Sequence, residues 1–92
     1  KSADVQIASA EALSYISQET KYLDILMTHL ENPNPMIRIH AANAIDAIGE
    51  NAKPIADKLN TLVVKMKDLK SQGKLSEENY LLTALSHTVS KL

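Results

Sequence analysis

The sequence predicts an all-α fold, an α-α superhelix in which helix hairpins stack as a solenoid fragment. Three observations carry that prediction. Apolar residues recur at three- and four-residue spacing along most of the chain, and no stretch alternates as a half-buried strand would. Prolines and glycines fall between these stretches, where they start and stop helices. A shift of 32 residues lays the first half of the chain over the second, and a period in that range marks stacked helix pairs.

The first helix is expected over about Asp4 to Ser17, with Val5, Ser9, Ala12, Leu13 and Ile16 along one face. A second, over about Lys21 to Glu31, carries Leu23, Leu26, Met27 and Leu30 at helical spacing. Asn32-Pro33-Asn34-Pro35 then breaks the chain. Asn34 suits an N-cap, and Pro35 fits the first helical position, where no amide hydrogen is needed.

The third helix runs to Gly49, whose lack of a Cβ lets it take the left-handed turn that ends a helix. Pro54 is expected in the first turn of a fourth helix with an apolar stripe of Ile55, Leu59, Leu62, Val63, Met66 and Leu69. Gly73 stops it, and Ser71 to Leu75 reads as a flexible loop. Ser76 is expected to cap a fifth helix, with Glu77 and Glu78 at its positive end and Leu81, Leu82, Leu85, Val89 and Leu92 facing inward.

Under the shift, Val5 meets Ile37, Ile7 meets Ile39, Ala10 meets Ala42, Ala12 meets Ala44, Leu13 meets Ile45 and Ile16 meets Ile48. The same register carries Leu23 onto Ile55, Met27 onto Leu59 and Leu30 onto Leu62 without a gap. The expected organisation is one domain over 1–92: repeat one at about 4–31, repeat two at about 34–72 and a terminal helix at about 76–92. Opening on Lys1, with neither an initiating Met nor a signal segment, the chain is expected to be a fragment of a longer protein.

These residues resemble the HEAT-like repeat family, with its armadillo and phycobilisome-lyase-type relatives. Pro35, Ile37, Arg38, Ala41, Ala42, Ala44, Ile45, Ile48 and Gly49 follow that family's first-helix pattern in order. Two departures stand out. Asn32 or Asn34 occupies the region where the family often places an aspartate, and Gln6 replaces the repeat arginine in the first unit. The resemblance implies a solenoid that recognises or supports other proteins. A narrower likeness of the Asn34–Gly49 wording is to helical repeats appended to some bacterial sulfatases. It implies an accessory domain whose chemistry lies elsewhere, because no sulfatase active-site motif is present in this chain.

The chemistry-bearing residues point away from catalysis. With no cysteine, sulfur-based metal sites and disulfides are excluded. His29, His40 and His87 lie on different helices, none with a His or acid at the spacing a helical metal site uses, so they read as rim residues and no metal or cofactor is expected. Asp46 and Glu50 read as solvated, and Glu77-Glu78 as dipole partners. Gly49 and Gly73 are isolated helix stops, and no nucleophile elbow exists. The segment is therefore expected not to be an enzyme, nor to take a small-molecule ligand.

Partners are expected to be another protein or a neighbouring domain of the same chain. No apolar run approaches the roughly 20 residues of a membrane span. Lys53, Lys58, Lys65, Lys67, Lys70 and Lys74 make the fourth helix basic, yet the net charge is -1 and Arg38 is the lone arginine. Without interleaved aromatics a solvated face outweighs nucleic-acid binding. Compartment is set by what the segment is attached to: periplasmic or secreted beside a sulfatase, otherwise cytoplasmic. The contact candidates are Asn34 and Arg38 at the inter-repeat turn, and Ile7 and Ile39, which the helical wheel places outward in both repeats.

Overall fold

The computed structural model describes residues 2–17, 19–73 and 79–92, and of Asn79 the backbone alone. Helices α1 (Ala3–Ile16), α2 (Thr20–His29), α3 (Pro35–Ile48), α4 (Ala56–Ser71) and α5 (Asn79–Ser90) follow in order, with a 3-10 stretch (Gly49–Ile55) between α3 and α4. No strand occurs among the described residues, so the all-α, superhelical expectation holds.

Local chemistry sets the helix ends. Ser2 caps α1 by accepting the Val5 amide at 3.3 Å, and Asn34 caps α3 by accepting the Met36 amide at 2.9 Å. The two caps are 32 residues apart and share an extended backbone, with φ -69 and ψ 141 at Ser2 and φ -86 and ψ 118 at Asn34. Gly49 ends α3 at φ 64, a conformation that a side chain resists even though the space around it is open. Gly73, at φ 74, closes α4 and donates its amide to the Lys70 carbonyl.

The five helices form a slab of 40 × 28 × 16 Å. α1, α3 and α5 make one row: α1 packs on α3, and α3 on α5. α2 packs on α1 and α3, and α4 packs on α5, so α5 stands where the first helix of a third repeat would. The core runs through all of them, from Ile7 and Leu26 through Ile45, Ile55 and Leu59 to Leu85. Ala41, Ala42 and Ala44 are buried together on α3, and their small side chains let the rows approach closely.

Four expectations are corrected. First, the face of α1 with Val5, Ser9, Ala12, Leu13 and Ile16 is exposed, and Ile7, Ala10 and Ser14 are buried instead. The bulkier stripe is the more apolar, but α2 and α3 lie on the other side. Ser14 is tolerated there because its hydroxyl donates to the Ala10 carbonyl at 2.8 Å. Second, Ile7 therefore does not point outward but is a core residue, 0% exposed, and Ile39 is half-buried.

Third, Pro54 lies inside the 3-10 stretch, and α4 begins only at Ala56. Fourth, the ungapped register fails in the second helices. Leu26 is buried, but its mate at a shift of 32, Lys58, is exposed; the buried pair Leu26 and Leu30 corresponds instead to Leu59 and Val63, one residue further on. The 3-10 stretch before α4, where α2 is preceded by a short link, takes up the difference. The expected Ser76 cap with Glu77 and Glu78, and the loop residues Lys74 and Leu75, lie outside the described residues.

Candidate interaction surface

Asn34 and Arg38 meet at the turn between the repeats. The Asn34 amide donates to Asn32 Oδ1 at 2.9 Å, and Arg38 Nη1 donates to the Asn32 carbonyl at 2.6 Å. The turn that Asn32-Pro33-Asn34-Pro35 forces on the chain is thus held by side chains on both sides of it. Ile7 and Ile39 are not part of this cluster. Ile7 lies in the core on α1, while Ile39 shares a side of α3 with Ala42 and Asp46.

Polar side chains tie each helix of the row to the next. Tyr15 donates its hydroxyl to the Ala47 carbonyl at 2.8 Å, and His40 Nδ1 lies 2.7 Å from the Asp4 carboxylate, so two contacts bracket the α1–α3 junction. Between α3 and α5, Asp46 accepts from Thr88 at 3.0 Å, pairs with Lys91 at 2.8 Å, and has His87 at 3.7 Å. The hydrogen bond from Lys91 holds the Asp46 carboxyl below its ordinary range; partial burial opposes this, and Thr88 and the nearby His87 reinforce it. The expectation that Asp46 is merely solvated is corrected accordingly.

The histidines serve the same purpose. His29 Nε2 donates to Gln6 Oε1 at 2.8 Å, joining α2 to α1, while its Nδ1 faces Asn32 Nδ2 at 3.4 Å. Sequence reasoning missed these contacts because their partners lie 23, 32, 36 and 42 residues apart, beyond any local spacing rule. Among the described residues no group of three or more His, Cys, Asp or Glu could hold a metal ion. Nor is any helix among them long and apolar enough to cross a membrane.

Two surfaces among the described residues expose apolar side chains beside polar ones. The first lies along α2 and α4, bridged by Lys58, whose ammonium is 3.0 Å from Asp24. On α4 Val64 is 59% exposed, and on α2 Ile25 is 38% exposed, on the side towards α1. At the N-terminal end of α2, Glu19 hydrogen-bonds Lys21 and raises its pKa.

The second is the outer face of α1, where Val5 is 56% and Ile16 82% exposed, with a groove of about 160 Å³ between it and Tyr22 and Ile25 of α2. The exposed residues of α5 are different in kind: Tyr80, Thr83, His87 and Ser90, the first three beside a groove shared with Asn43 and Asp46 of α3.

A family model described as HEAT repeats matches residues 1–63. No curated protein and no solved structure matches the chain.

Proposed function

Because the chain belongs to the HEAT-repeat family, whose members generally mediate protein–protein interaction or scaffolding and are typically non-catalytic, we propose that this one is a protein-binding scaffold module that holds its partner along α2 and α4. The observation that carries this reading is the exposure of one apolar side chain on each of the two second helices, Ile25 on α2 and Val64 on α4, which Lys58 and Asp24 bridge. Apolar centres rimmed by charge are the usual make-up of a protein-recognition patch. On this surface the Asp24 carboxylate is engaged by Lys58 at 3.0 Å.

A second reading keeps the segment non-catalytic but makes it the accessory helical domain of a larger hydrolase, of sulfatase type. It draws on the apolar outer face of α1, against which a catalytic body could pack.

The two readings place the partner on different surfaces. A photo-cross-linking amino acid introduced at Val64, in cells that make the protein, is expected to yield a protein adduct of defined mass, and the same probe at Ser90 none. Equal labelling at both positions, or none at Val64, would refute the α2–α4 surface.

A further inference from the structure

An acid on the α2 side and a lysine on the α4 side occur twice along the second helices, and only one of the two pairs is closed. Asp24 and Lys58, 34 residues apart, join at 3.0 Å. About two turns further on, at the same separation, stand Glu31 and Lys65. Both are exposed, and neither side chain makes a hydrogen bond or ion pair among the described residues. They border a pocket of about 250 Å³ instead.

Unequal helix lengths open this space. α2 stops at His29 after 10 residues, whereas α4 continues for 16 residues to Ser71. The walls are apolar: Leu30, Met66 and Leu81 are buried, and Leu62 and Leu69 half-buried. Arg38 also borders the pocket, with Nη1 on the Asn32 carbonyl at 2.6 Å. The volume falls below the roughly 300 Å³ at which sites for drug-sized molecules begin, and suits one large side chain.

We propose, on the protein-binding reading above, that this pocket seats the anchor side chain of the partner: a leucine or methionine flanked by one basic and one acidic residue. Burial of the aliphatic group against Leu30, Leu62, Met66, Leu69 and Leu81 supplies the affinity. The flanking base meets Glu31 and the flanking acid meets Lys65, so the rim supplies selectivity more than strength. A segment whose flanks carry a single sign sets one of them against its like, at Glu31 or at Lys65.

Three blocked, alanine-based peptides test the assignment by fluorescence anisotropy at low salt. Each has a central leucine and a charged residue four positions to either side: one Lys and one Glu, two Glu, or two Lys. The 92-residue chain is expected to bind the mixed peptide at least about threefold tighter than either of the others. Glu31→Lys is expected to bind the two-Glu peptide best, and Lys65→Glu the two-Lys peptide. Both residues are exposed, so neither substitution should move the melting temperature by more than about 3 °C. Serine in place of the leucine is expected to weaken the mixed peptide at least about tenfold.

The same ranking of peptides by all three proteins overturns the proposal. So does a serine peptide that binds as well as its leucine parent, or a failure of every peptide to bind. If any of these results accompanies an adduct at Val64, the pocket is removed and the α2–α4 surface stands. A ranking that changes with the rim charges, without an adduct at Val64, upholds the pocket while the wider surface falls.

Discussion

At the scale of single residues, the polar side chains of this protein act mostly as ties between helices. Asp46 shows it best, since Thr88 and His87 come from α5 and Lys91 from the turn that follows it. Its carboxyl titrates below the ordinary range, so its ionic contribution is complete above the unfolded-state value of about 3.9 and is lost as pH falls through the lower folded value. With the side chain 39% exposed, solvent screens the pair and limits its worth. Asp46→Asn is expected to cost a few tenths to about 1 kcal/mol at neutral pH in urea denaturation, and the gap to the parent protein should close in strong acid. A gap of the same size at both pH values would mean that the charge contributes nothing.

Little of this network was legible beforehand. The pattern-based reading of Asp46 as solvated used its neighbours in sequence, and all its partners are forty or so residues away on α5. The Asn34 cap and the Arg38 bond to the Asn32 carbonyl rest on residues two and six apart, where sequence spacing determines geometry.

At the scale of elements, the ends of α3 were marked by residues whose backbone chemistry allows little else, Asn34-Pro35 and Gly49, whereas the start of α4 was not, Pro54 lying inside the 3-10 stretch. The facing of α1 was not. A helical wheel ranks sides by apolar content, and Val5, Leu13 and Ile16 outweigh Ile7 and Ala10 on that measure. Which side is covered depends on where α2 and α3 lie, and that is a property of the stack.

Small side chains at the α1–α3 junction matter for the same reason. Ala44 is 2% exposed on the side facing α1, so Ala44→Phe forces a ring into a gap made for a methyl group. A loss of about 1–3 kcal/mol is expected from thermal or urea melts. Melting unchanged by the substitution would show that the helices are not in close contact at that position.

At the scale of the molecule, the 32-residue period identified the stacked architecture directly, because repetition survives where individual facings are ambiguous. It failed only where the 3-10 stretch before α4 offsets the second helices by one residue. Charge is likewise a whole-molecule matter. The chain carries a net charge of -1, and Lys58 is engaged by Asp24. Passage over an immobilised polyanion should therefore give weak retention that ends at low salt. A log–log dependence on salt steeper than about -3 would instead mean that several lysines track phosphates together.

The helix α5 gives the stack a direction. Tyr80, Thr83, His87 and Ser90 turn a largely hydrophilic side outward, while the opposite end of the row offers Val5 and Ile16. Apolar surface is thus concentrated at α1, and adhesion to another apolar surface is expected to begin there rather than at α5.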